Sequence, residues 1–237
     1  MELIQGQTVG EIVAGNIKTA HVFKKHGIDF CCGGGISIKT ACDQNKIDIS
    51  TLVTELLSVD EKAPEDIDYN LWELDDLVKH IVEVHHSYVM ESIPLILQYS
   101  DRVREVHGLN HPEVIKINKL FYDASNELVP HMKKEEEMLF SHISKLVEAK
   151  KDGLSSVPDS CFGTVTNPIR MMNQEHDGVG EIFRTIADLS SNYTPPVGAC
   201  NTYQALYSKL QEFEEDLHLH IHLESNILFP KAIELES

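Results

Sequence analysis

The sequence predicts an all-α protein built around an up-down-up-down four-helix bundle. Three observations carry that reading. No segment has the strict alternation of a half-buried strand, whereas four long stretches after Asn70 carry apolar residues at helical spacing. One helical phrase occurs twice, His131-x-x-x-Glu135-x-x-x-Leu139-Phe140 and His220-x-x-x-Glu224-x-x-x-Leu228-Phe229. His86, His131, His176 and His220 follow one another at intervals of 45, 45 and 44 residues, as expected if each helix with its loop takes that length and carries one histidine at mid-depth.

Residues 1–60 read as a small helical domain. Thr8 with Glu11 three positions on makes a capping box, and Val9, Ile12, Val13, Ile17, Ala20 and Val22 continue a helix behind it. His26 to Gly35 must end that helix, because three consecutive glycines cost too much backbone entropy to extend it. Ser37 and Ser50 each offer a cap for a further short helix. Residues 61–69 are charged, contain Pro64 and lack an apolar stripe, so they are assigned as a linker to a second domain over 70–237. There the first long helix is expected from Leu71 to Val106, capped by Asn70 and kinked at Pro94. The second spans Pro112 to Ala149. A Gly/Ser/Pro-rich loop over 152–167 leads to the third, Pro168 to Leu189, and Tyr193-Thr194-Pro195-Pro196 separates it from the fourth, Gly198 to Ile233.

Composition narrows the function. The 237 residues suffice for one large domain or for a small and a medium one, and 42% apolar content is that of a globular protein. A net charge of −18 repels nucleic acid and anionic membrane while attracting cations. No apolar run reaches the ~18 residues of a membrane span, and the start, Met1-Glu2-Leu3-Ile4-Gln5, lacks a signal-peptide pattern. Five cysteines, an odd number with one adjacent pair, suit a reducing compartment; the expected location is the cytoplasm.

A histidine and a glutamate four apart project from one helix face, so each repeated phrase aims an imidazole and a carboxylate at one point. The neighbours indicate which candidates face a core. Phe213, Leu217, Ile227 and Leu228 share the face of His220 and Glu224, while His218 and His222 lie with Glu214, Glu215, Ser225 and Asn226 and are expected in solvent. Phe121, Leu128, Met138 and Leu139 flank His131 and Glu135, and Ile169, Met172, Val179 and Phe183 flank His176. On the first helix both adjacent histidines have apolar neighbours: His86 with Val82, Met90 and Ile93, His85 with Ile81, Val89 and Ser92; the spacing favours His86. A single histidine on such a stripe is more often a hydrogen-bonded core residue than a ligand. Two buried carboxylates without an inward lysine or arginine, however, require cations.

Four imidazoles and two carboxylates exceed the tetrahedral set of one structural zinc and suit two metals, with both glutamates bridging and water, oxo or a small molecule completing the shells. Two ferrous ions with two glutamates carry the same net charge as two ferric ions with an added oxo bridge, so redox change needs little rearrangement of buried charge. Such ligands with open positions fit iron well, although manganese or zinc could occupy the cage.

Cys31 and Cys32 are consecutive, so their Cα atoms lie about 3.8 Å apart, below the usual disulfide range. Beside a glycine-rich loop leading into a helix they could have lowered pKa and serve as redox groups, metal ligands or nitric-oxide acceptors; equally they could pack as small hydrophobes under a turn. Cys42, Cys161 and Cys200 lack a motif.

With Asp29-Phe30-Cys31-Cys32-Gly33-Gly34 ahead of His86, His131-x-x-x-Glu135, His176 and His220-x-x-x-Glu224, the chain resembles the RIC (repair of iron centres) family, the ScdA/YtfE type of bacterial di-iron proteins, over essentially its whole length. The resemblance implies a short N-terminal domain with the double cysteine and a hemerythrin-like bundle. The implied ligands to two oxo- and carboxylate-bridged irons are His86, His131, Glu135, His176, His220 and Glu224, which settles the first-helix choice on His86. It also implies a cytoplasmic, often dimeric protein that repairs iron-sulfur clusters damaged by oxidative or nitrosative stress, acting on damaged iron-sulfur proteins and meeting nitric oxide or O2 as small ligands. In that role it is more a metal-donating repair protein than a turnover enzyme, with Cys31 and Cys32 as a thiol relay. The alternatives are an O2- or NO-binding sensor without repair activity, or a reductase of nitric oxide or peroxide.

Overall fold

The computed structural model describes residues 6–59, 68–153 and 160–237, and all their regular structure is helical. A single isolated antiparallel bridge, Thr8 to Ser37, is the only strand-like pairing among the described residues. The expected linker lies outside the described residues except at Asp68 and Tyr69.

The chain divides into two compact units, residues 79–217 and residues 1–78 with 218–237. In the second of these, α1 (Val9–Gly15) opens on the capping box: the Thr8 hydroxyl accepts from Glu11 N and the Glu11 carboxylate accepts from Thr8 N. The helix expected to run on to Val22 instead stops at Asn16, whose side chain caps a 3-10 turn (Ile17–Thr19) ahead of α2 (Ala20–Lys25). Gly27 takes the left-handed conformation, φ 68°, that ends α2. Ser37 caps α3 (Ile38–Asn45) as expected. Asp48 rather than Ser50 caps α4 (Ile49–Ser58), because its carboxylate accepts from Thr51 N while the Ser50 hydroxyl merely donates to it. Val9, Val13, Phe23, Ile38 and Leu52 fill the centre. The C-terminal segment belongs to the same unit. Asn226 Nδ2 donates to the carbonyls of Phe30 and Cys31 at 3.4 and 3.1 Å, and Lys231 Nζ donates to those of Asn70 and Trp72 at 2.7 and 3.0 Å.

Four rods make up the bundle. The first comprises α5 (Leu74–His80), a π-helical segment (Ile81–His86) and α6 (Ser87–His107), with Pro94 inside it; it starts three residues later than expected, since Asp68 and not Asn70 caps a separate 3-10 turn, Tyr69–Leu71. The second comprises α7 (Glu113–Lys134), a π segment (Glu135–Phe140) and α8 (Ser141–Lys151). The third, α9 (Thr166–Leu189), is α-helical throughout. The fourth is α10 (Asn201–Leu223), a π segment (Glu224–Leu228) and α11 (Phe229–Glu236).

Within residues 79–217, α7 packs on both α6 and α9. The core holds Phe121, Phe183 and Phe213, the last two stacked at 5.4 Å and 13° between ring planes. The connection after α9 places Ser191, Asn192 and Tyr193 all at positive φ, a strained run held where Asn192 N donates to Ala187 O and Tyr193 N donates to the Ser190 hydroxyl.

Candidate metal centre

Within the bundle unit, Glu135 stands at the focus. Its side chain is 0% exposed, and its two oxygens face different histidines. Oε2 lies 3.6 Å from His86 Nε2, whereas Oε1 lies 3.3 Å from His131 Nε2 and 3.9 Å from His176 Nε2. A carboxylate so placed belongs to two groupings at once, one with His86 and one with His131 and His176. All three histidines are buried.

The outer nitrogens explain how the inner ones are aimed. Glu136 Oε1 accepts a hydrogen bond from His86 Nδ1 at 2.7 Å, and Glu175 Oε2 accepts one from His131 Nδ1, also at 2.7 Å. A carboxylate only accepts, so each Nδ1 carries a proton, and in the neutral ring the lone pair then lies on the inward Nε2. His131 Nε2 and His176 Nε2 approach to 3.0 Å beside the Glu135 carboxylate, and Phe140 stacks on the His86 ring. Inward lone pairs beside a desolvated carboxylate are a donor set for a cation. Burial pushes the Glu175 carboxyl up, but hydrogen bonds from Lys134 and His131 outweigh it and hold the group below its usual range.

His220 and Glu224 lie in the other compact unit. They repeat the His-x-x-x-Glu geometry, with Nε2 and Oε1 3.1 Å apart and both side chains at most 1% exposed. His86, Glu135 and Glu224 each sit at the end of a π segment. Such i→i+5 segments recur where a helix must present functional groups. Here they account for faces misjudged from α-helical spacing. Met138 and Met90, both expected inside, are 42% and 51% exposed. His85 and His86 are both buried, each on the apolar stripe read for it, and His85 Nδ1 donates to Asp216 at 2.9 Å.

One further expectation needs correction, and one alternative left open by the sequence narrows. His222 is fully buried rather than solvated, its ring edge-on to Phe30, and burial lowers its pKa to about 4. Cys31 does not have the lowered pKa of an activated thiol. The hydrogen bond to Cys32, burial and the charge of Asp29 all push it up. Cys31 Sγ donates to Asp29 Oδ1 at 3.2 Å and lies 3.8 Å from Cys32 Sγ, and both thiols are free. Asp29 Oδ1 also accepts from the backbone N–H of Cys31 and of Cys32, so the turn is organised around this carboxylate; Asp29, Cys31 and Cys32 offer ligand atoms within 4.8 Å of one another.

Glu136, Glu175 and Asp216 were not among the residues singled out from sequence. A signal for two of them exists: Glu136 follows Glu135 and Glu175 precedes His176, so each is the acidic neighbour of a candidate ligand on one helix and reaches a candidate ligand on the next.

A helical protein whose buried imidazoles converge on the Glu135 carboxylate from neighbouring helices has the donor set of a cation-binding, hemerythrin-like bundle. The Hemerythrin HHE cation binding domain model matches residues 77–232, and the ScdA_N model, described as a domain of unknown function (DUF542), matches residues 5–60. The chain is 31% identical over 223 residues to the iron-sulfur cluster repair protein ScdA of Staphylococcus haemolyticus, covering 94% of this chain and 96% of that one. It is 32% identical over 229 residues, 97% of each chain, to the iron-sulfur cluster repair proteins YtfE of Yersinia pseudotuberculosis and Yersinia pestis. It belongs to the ScdA/YtfE family of iron-sulfur cluster repair proteins. Among the described residues no helix is long and apolar enough to cross a membrane.

Proposed function

We propose that His86, His131, Glu135, His176, His220 and Glu224 hold two iron ions and that the protein restores damaged iron-sulfur clusters by supplying iron, handling nitric oxide, or both. The observation that carries this is Glu135, a fully buried carboxylate whose two oxygens face separate imidazoles aimed by outer carboxylates. Continuity supports adding His220 and Glu224, because α10 passes without a break from the bundle unit into the segment bearing them. Iron bound there would supply an exchangeable ion; the chain's part is to orient nitrogen lone pairs, exclude water and balance charge.

Cys32, half-buried, is the thiol we assign to contact with a client, and Cys31 beneath it the partner that completes a dithiol. The clients are damaged iron-sulfur proteins, met by a cytoplasmic, dimeric protein under oxidative or nitrosative stress, with domains at 1–60 and 70–237 joined by 61–69. Anaerobically purified protein should carry a dinuclear load of iron, and replacing both cysteines by serine should leave that load intact while abolishing recovery of a damaged cluster enzyme such as aconitase. Unchanged recovery would remove the relay.

One observation favours a second reading. The Cys31 thiol is held protonated and buried, as in a packing residue. That suits an O2- or NO-binding sensor, for which gas binding would be reversible without loss of iron.

A further inference from the structure

The outer carboxylates that aim His86 and His131 are not equivalent. Glu136 accepts a hydrogen bond from His86 alone, with no lysine or arginine paired to it among the described residues. Glu175 is shared: Oε2 accepts from His131 Nδ1 while Oε1 is ion-paired with Lys134 Nζ. A carboxylate on Nδ1–H draws the proton outward and makes the inner Nε2 a stronger donor to a cation. An ammonium on the same carboxylate takes up part of its charge and weakens that pull. Lys134 is itself only 35% exposed, so solvent screens the pair less than it would a pair at the surface.

We infer that the two ends of the site hold their cations unequally: the His131 and His176 end, discounted by Lys134 acting through Glu175, releases first, while the His86 end, backed by Glu136, retains. The inference rests on the dinuclear reading above and adds to it a positioning residue, Lys134, that touches no ligand atom. A donor that must surrender one ion yet keep its fold and its remaining charge balance has a use for such inequality.

The test is loss of Fe(II) to excess chelator from the anaerobic full-length chain, followed by absorbance of the chelate. Wild type should release iron in two phases. Lys134→Gln, leaving Glu175 wholly to His131, should slow the fast phase by about ten-fold, the low end of what an outer-shell partner contributes, and leave the slow phase unchanged. Lys134→Arg should restore the fast phase. Glu136→Gln should speed the slow phase. Lys133→Gln removes the same charge one residue away, where Nζ lies 3.7 Å from Glu137 and 69% of the side chain is exposed, and should move neither phase. Release in one phase from a fully loaded protein, or equal effects of Lys134→Gln and Lys133→Gln, would overturn the inference while leaving the dinuclear site standing. Loading by a single iron per chain would overturn both.

Discussion

Glu136 Oε1 accepts the Nδ1 proton of His86 at 2.7 Å, across 50 residues of sequence and between neighbouring rods of the bundle. The bond fixes the tautomer and the plane of the ring, so that Nε2 faces Glu135. Outer partners of this kind are worth roughly 10- to 100-fold in metal affinity. Glu136→Gln should therefore weaken metal binding by about that factor without unfolding the bundle, because Glu136 is 43% exposed and an amide fits its place. Glu137→Gln, the adjacent carboxylate whose partner is Lys133, should leave affinity unchanged. Calorimetric titration of the apoprotein with Zn(II) reads the difference, and equal affinities for the two variants would refute the assignment.

Cys31 has a pKa raised by its hydrogen bond to Cys32, by burial and by the charge of Asp29, so at neutral pH it stays a thiol. The thiolate is the reactive form. With iodoacetamide near neutrality, peptide mapping should show Cys31 modified more slowly than exposed Cys161 and Cys200, and its rate should still be rising at pH above the ordinary thiol value. Asp29→Asn keeps an acceptor for the N–H groups of Cys31 and Cys32 but removes the charge, so Cys31 should react faster at every pH below the plateau. A Cys31 rate matching that of Cys161 would show the thiol to be open and ordinary.

Much of this architecture was legible because burial follows helical spacing wherever the helix is regular. Ile169, Met172, Val179 and Phe183 around His176 are all buried as read, on a rod that is α-helical throughout. The misreadings gather at the π segments. There each turn takes an extra residue, the apolar stripe slips, and Met90 and Met138 face outward. His222 was misplaced for a different reason. Its polar same-face neighbour Asn226 is turned toward the Phe30 and Cys31 carbonyls of a segment far away in sequence, a contact that local periodicity does not report. Capping was legible where one candidate stood alone, as at Ser37, and not where Asp48 competed with Ser50.

Of the glycines behind the double cysteine, Gly34 has the least room for a side chain. A Cβ on Gly34 would meet the Phe30 carbonyl oxygen at 2.4 Å, Gly10 Cα at 3.1 Å and Asn226 Oδ1 at 3.1 Å. Two of those atoms are backbone and cannot swing aside, and the Gly34 carbonyl itself accepts from Gly10 N at 2.7 Å. Gly34→Ala should cost about 1–3 kcal/mol, the range for forced overpacking. Gly35→Ala meets nothing within 4 Å and should be close to neutral. Urea unfolding followed by the fluorescence of Trp72, which lies in the same compact unit, separates the two. Equal midpoints would mean that the turn relaxes more freely than these distances allow.

Glu135 distinguishes a metal site from a merely polar core, because the two roles give Glu135→Gln opposite signs. If the carboxylate serves only to satisfy three neutral histidines, the amide loses charge-assisted contacts and the apoprotein should melt lower. If it serves a cation, the apoprotein has been carrying a desolvated charge, and a neutral isostere should leave its melting temperature unchanged or raise it. The metal-bound comparison then reverses. Ligand present at about a hundred times its Kd stabilises the folded state by about 2.7 kcal/mol, and a variant without that charge forfeits most of it. Melting temperatures of wild type and variant, each with chelator and with saturating Fe(II) under anaerobic conditions, should show apo curves that coincide or cross in the variant's favour. The metal-induced rise should be present in wild type and largely gone in Glu135→Gln. A variant that melts lower as apoprotein and gains as much from metal as wild type would return Glu135 to the structural core and leave its 0% exposure in need of another explanation.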